Sequence, residues 1–230
     1  MGDFLGPAAR TSTLIAVRHA MVAEGLAAVL RRAGDIDVVD PVCWTGDRAV
    51  AVLGNRPVAV LVVDEHLPDV DGLEVVRAAA EVAPGARTLL LHEGADDGPL
   101  VLAAVRAGCD GVLAKDRTGE ALVAAVRTVA GGGTVFDPAA LVRFASRAGL
   151  PRQSHGERLT AREREILQLL AGGMAAVQIA SDLALHPLTV RNHVQNIMGK
   201  LSVHSRLEAV TLALQLGLVR PPDPRVPPIS

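Results

Sequence analysis

The chain has no tyrosine and only four aromatic residues, three Phe and one Trp, among 230. Its cores must therefore be built from Val, Leu, Ala and Ile, and a half-hydrophobic composition is ample for that. Two cysteines, Cys43 and Cys109, exclude a disulfide framework and show no metal-ligand spacing. No apolar run approaches the length of a membrane span, and the start MGDFLGPAAR lacks a signal-peptide pattern, so a cytoplasmic protein with no membrane partner is expected. Lysine is nearly absent as well, with Lys115 and Lys200 set against 21 arginines. No nucleophile–base pair or phosphate-cradling loop is present, which argues against an enzyme.

What is there divides the chain in two. Residues 1–150 carry a net charge of −5 and residues 157–220 one of +2. This split suits a regulator with a nucleic-acid-binding end, and equally suits ordinary variation between two domains. A length of 230 residues is comfortable for two domains. In the first part, short β-branched runs (13–17, 37–43, 58–63, 88–92, 111–114) alternate with helical patterns near 21–33, 47–54, 72–82, 98–107 and 118–130. Five strand–helix repeats predict a doubly wound, five-stranded parallel α/β sheet, with any ligand at the carboxyl ends of the strands. GGG at 131–133 stops the last helix. A linker with a short helix follows over 134–158, and the proline-rich tail 220–230 is expected to be disordered.

From Leu159 the pattern is all-helical. Thr160 and Glu163 form a capping box, and Gly172-Gly173 end the helix that it starts. A second short helix is expected over about 176–183, and a third opening with Pro187 at its first position. In the third, Val190, Val194, Ile197 and Leu201 share one apolar face. Arg191, Asn192, Gln195 and Asn196 then point away from it. Arg can bond guanine bidentately, and Asn or Gln adenine, through the major groove. Such a face is also what a merely solvated helix looks like.

The words LTAREREIL, IA at 179–180, TVRNHV at 189–194, KL at 200–201 and SR at 205–206 followed by EAV resemble the LuxR-type helix-turn-helix domain over 159–219. The resemblance implies a four-helix DNA-binding domain whose third helix enters the major groove. Arg191, Asn192 and Gln195 would face bases, with Asn196 beside them, while Thr189, His193 and Lys200 would serve the backbone. The last helix, about 205–216, would either make a dimer contact or close the core. His186 stands where the family often caps with Ser, and is expected to be a poorer cap. Ala175, Ala176 and Val177 replace polar or basic side chains, which implies fewer phosphate contacts.

In the first part, VLVVDEHLPDVDGLEVVR (60–77) ends a strand at Asp64, and VLAKD ends another at Lys115. An Asp and a Lys at adjacent strand ends could form a phosphoacceptor site, but from these two residues alone a structural ion pair is the favoured reading. Residues 12–133 resemble the receiver domain of NarL/FixJ-type response regulators, a flavodoxin-like fold. By that resemblance Asp64 falls on the phosphorylated aspartate and Lys115 on the receiver lysine. The magnesium-binding acids fall on Val17 and Arg18, the Ser/Thr on His92, and the aromatic switch residue on Val112. Neither Val17 nor Arg18 offers an oxygen ligand to Mg²⁺. An atypical receiver is therefore expected, with no metal or other cofactor: Arg18, Asp64 and Lys115 form a charge cluster in which Arg18 pairs Asp64 in place of a cation, the alternative being that Arg18 points to solvent. His19, His66 and His92 share the rim without a zinc spacing.

The resulting expectation is a sequence-specific transcriptional regulator, a homodimer on paired half-sites of double-stranded DNA, working without phosphorylation. Control would come from expression level, a small-molecule effector on the receiver's pocket rim or a partner protein, among which the sequence does not choose. The alternatives are a conventional phosphorylated regulator that borrows Glu65 or Asp69 for the cation, and a protein without DNA affinity that sequesters a related regulator.

Overall fold

A computed structural model describes residues 10–93, 98–136, 159–203 and 205–220. The expected linker helix near 138–148 and the tail 221–230 lie outside the described residues. The first domain runs β1 (Thr11–Ala16), α1 (Ala20–Arg32), β2 (Ile36–Val38), α2 (Gly46–Asn55), β3 (Val60–Asp64), α3 (Gly72–Val82), β4 (Arg87–His92), α4 (Gly98–Arg106), β5 (Gly111–Ala114) and α5 (Gly119–Ala130). All strand pairs are parallel, in the order β2-β1-β3-β4-β5. This doubly wound order puts its switch point between β1 and β3, where a crevice opens at the carboxyl edge.

Continuous apolar strands follow from burial on both faces. Leu14, Leu61, Val63 and Leu90 point into the layer shared with α2, α3 and α4; Ile15, Val60, Val62 and Leu89 point into the layer shared with α1 and α5. β2 is shorter than the 37–43 run suggests. Pro41 has no amide to donate to a ladder, and the chain rejoins the sheet only at Cys43, bridged to Ala16.

The second domain contains α6 (Ala161–Ala171), α7 (Ala176–Asp182), α8 (Pro187–Leu201) and α9 (Arg206–Gln215). Ile166, Leu167, Leu170, Ile179, Val190, Val194, Ile197 and Leu201 form its core. The capping box of α6 is present: Thr160 Oγ1 accepts from the Glu163 amide, and Glu163 Oε2 accepts from the Thr160 amide. Helix α9 closes the core, and its Leu207 reaches into the apolar layer of the first domain.

The domains meet along the turn after α5. The Gly131 carbonyl accepts from the Ala176 amide at 3.1 Å, and the Gly132 carbonyl accepts from the buried Arg206 guanidinium. Gly132 has φ +79°, and a Cβ there would run into that guanidinium, so both the turn and the contact require glycine. Burial, reinforced by Arg87 and Arg191, pushes the Arg206 guanidinium down to about 10 despite the attraction of Asp110. Burial in turn pushes the Asp110 carboxyl up, although Arg87 (3.3 Å) and the Thr88 amide (2.9 Å) bond it.

Candidate functional site

At the carboxyl edge of the sheet, Asp64 ends β3 and is only 2% exposed. Its Oδ1 lies 2.7 Å from Nζ of Lys115, the residue after β5, and accepts from the His66 amide at 3.2 Å. The loop beyond Asp64 is held close: Gly72 packs so tightly that a Cβ would collide with the Asp64 carbonyl oxygen. Asp71 caps α3 through the Leu73 amide at 2.8 Å.

The expected Arg18–Asp64 pair is not formed. Arg18 Nη2 instead lies 3.2 Å from Oε1 of Glu93, just beyond β4, and Lys115 Nζ donates to the same oxygen at 3.0 Å. Arg18 is partly exposed at the rim, while Asp64 lies beneath the edge and is already satisfied from the β5 side. The four side chains thus form a row, Arg18–Glu93–Lys115–Asp64. The hydrogen bond from Lys115 and the nearby positive charges hold the Glu93 carboxyl below the usual carboxylate range. Sequence reasoning missed Glu93, since a lone acid in a loop has no periodicity and its partners are 75 and 22 residues away.

The other rim positions are placed as follows. Val17 is fully buried in the α1/α5 layer and Val112 is buried in the opposite layer. His92 ends β4 half-buried, its carbonyl accepting from the Lys115 amide at 2.8 Å. Asp69 accepts from the Gly46 and Asp47 amides at 2.9 and 3.0 Å and so caps α2. Burial pulls the Asp69 carboxyl up, but these amides, with those of Asp69 itself and Val70, outweigh it and hold the group below its usual range. Among the described residues no three His, Cys, Asp or Glu side chains converge as a metal site.

In the helical domain, Val190, Val194, Ile197 and Leu201 are buried as their spacing predicts. Arg191, Asn192, Gln195 and Asn196 are exposed on the other side of α8, and Thr189 and His193 are half-buried at its flanks. His186 caps the helix: its Nδ1 accepts from the Leu188 amide at 3.2 Å, where the family often has a Ser. Gln195 and Met198 also border a crevice of about 380 Å³ shared with Val76, Arg87 and Arg206.

Lys200, expected at the DNA backbone, is engaged inside the domain. Its Nζ donates to both carboxylate oxygens of Glu163 at 2.7 Å, which ties α8 to the start of α6. Glu163 is 3% exposed. Burial raises its carboxyl, but the bonds from Lys200 and Thr160 prevail and set it below the ordinary 4.5. The folded domain therefore binds this proton more weakly than the unfolded chain. Its contribution to stability is expected in full above about pH 4.5 and to fall as the pH drops through the lower folded value. Urea unfolding of wild type and Glu163→Gln between pH 3 and 7 checks this; the two should converge at the acid end.

A receiver-type sheet with an Asp–Lys pair at its carboxyl edge, joined to a helix-turn-helix, defines the class of DNA-binding response regulators. Residues 14–127 match the response regulator receiver domain, and residues 157–213 match the bacterial regulatory proteins of the luxR family. The chain is 37% identical over 190 residues to the transcriptional regulatory protein UhpA of Escherichia coli (strain K12), covering 83% of this chain and 91% of that protein. It is 33% identical over 202 residues to the response regulator protein VraR of Staphylococcus aureus (strain NCTC 8325), covering 88% and 95%. The RcsB response regulator of Salmonella typhimurium shares the fold, with a TM-score of 0.54 at 21% identity over 88% of this chain and 97% of that one. The chain belongs to the LuxR-family response regulators, transcription regulators of two-component systems. No helix among the described residues is long and apolar enough to cross a membrane.

Proposed function

We propose that this response regulator binds specific promoter sequences without a phosphoryl switch at Asp64. The observation that carries the reading is the end of β1, where Val17 is sealed in the core and Arg18 is committed to Glu93, so that neither offers a cation an oxygen ligand beside Asp64. Phosphoryl transfer to a carboxylate needs a divalent cation to offset the gathering negative charge. The residues present do not fit Mg²⁺, which requires an octahedron of oxygen ligands. Val17 is sealed in the core, Arg18 brings a positive charge, and Asp69 spends its oxygens on α2. Val112 and His92 also lack the aromatic ring and the hydroxyl with which a receiver would report a phosphoryl group.

On the DNA side, Arg191, Asn192 and Gln195 read bases, Asn196 extends that stripe, and Thr189 and His193 approach the backbone. Lys200 stabilises the helix that carries them. A homodimer would place two such helices on paired half-sites. Gln195 borders the crevice against the first domain, so parting of the two domains would give DNA fuller access to the stripe. An effector or partner protein that favours parting would then act as the control. The test is operator affinity with and without acetyl phosphate and Mg²⁺, which is expected to be the same.

A further inference from the structure

Among the described residues of the helical domain, Val177 and Leu188 are the only large apolar side chains left mostly exposed. Leu188 is 57% exposed and stands in the first turn of α8, the recognition helix. Its position is constrained. Pro187 occupies the first helical position, and the Leu188 amide is bonded to His186 Nδ1, so the turn that carries Leu188 is fixed. The inward face is already filled by Val190, Val194, Ile197 and Leu201, so Leu188 has no place in the core.

Leu188 lies three and four residues before Arg191 and Asn192 and seven before Gln195. At helical spacing these four share one outward stripe. The N-terminal part of a recognition helix is what approaches the base edges. Three members of the stripe carry groups that hydrogen-bond to bases; the fourth has none. The major groove presents one apolar feature to such a side chain, the C5-methyl of thymine. An isobutyl group kept in water by the free protein loses that exposure only when such a partner arrives.

We infer that Leu188 reads a thymine in each half-site through its C5-methyl group, making it a specificity-determining residue. The inference rests on α8 being the recognition helix. It differs from a sugar contact, which would bury the same side chain without any base preference.

The experiment uses the full-length protein and a duplex selected by it from a random library. Each thymine of the selected half-site is replaced singly by deoxyuridine, which deletes the methyl and keeps the pairing edge. For wild type, Kd is expected to rise roughly fourfold at one thymine per half-site, the worth of one buried methyl-sized group. Leu188→Ala should bind the thymine and uracil duplexes equally at that position, while its sensitivity to changes at the guanines and adenines stays as in wild type. Two results overturn the assignment: no thymine whose methyl matters to wild type, or a methyl effect that survives in Leu188→Ala. Failure to select any duplex, with no salt-dependent binding, overturns the recognition-helix reading and the assignment together. That outcome is told apart because wild type then fails on thymine DNA as well.

Discussion

Replacing Lys115 by methionine is expected to destabilise the first domain by about 2–3 kcal/mol, less than the full cost of breaking a buried pair because Lys115 is itself partly exposed. The reason lies with its partner. Asp64 is 2% exposed, and its carboxylate has Lys115 as its charged partner and the His66 amide as a further donor. Methionine fills a similar volume but leaves a negative charge under the sheet edge with one neutral donor. Arg18 does not move in without cost, since it is drawn to Glu93. Adding Asp64→Asn removes the stranded charge and keeps an oxygen for the His66 amide, so the double variant should recover at least half of the loss. Urea unfolding of the four proteins at neutral pH gives the coupling directly. Additive losses would show that the pair contributes nothing as a pair.

Arg191→Ala is expected to cost about 1–3 kcal/mol of operator binding per half-site, roughly five- to 150-fold, and to relax base preference at one position. Arg191 is exposed at the centre of the outward stripe of α8, and the opposite side of its turn is anchored by the buried Val190 and Val194. The variant should therefore fold normally and fail in recognition alone. Arg191→Lys should recover little, because an ammonium cannot make the planar two-point contact of a guanidinium. Titrations against a selected duplex and against single-base variants of it provide the check. A uniform loss over all variants, with a shallower salt dependence, would instead place Arg191 on the phosphates.

Much of this architecture was legible in the sequence because it rests on periodicity. The alternation of β-branched runs with helical patterns specified five parallel strands, and the i, i+4, i+7, i+11 spacing of Val190, Val194, Ile197 and Leu201 identified the buried face of α8. The Thr160–Glu163 capping box was equally readable, being a local device four residues long. The side-chain pairing at the rim was not. Strand order brings the ends of β1, β3, β4 and β5 together, but it does not say which cation reaches beneath the edge. Lys115 approaches Asp64 from the β5 side, and Arg18 stays at the surface with Glu93, an acid that no pattern singles out. The Lys200–Glu163 pair was hidden for the same reason, its partners standing 37 residues apart in the chain. His186 caps its helix through Nδ1, a bond that residue type alone did not place.

Phosphorylation independence means that Asp64 no longer controls DNA binding. The most direct test is Kd for a selected operator duplex before and after incubation with acetyl phosphate and Mg²⁺, with intact mass recorded on the same samples. The expected result is an unchanged mass and an affinity unchanged within error, and Asp64→Asn should behave alike with and without the donor. A stoichiometric phosphoryl adduct on wild type, absent from Asp64→Asn and accompanied by a tenfold change in operator affinity, would contradict it.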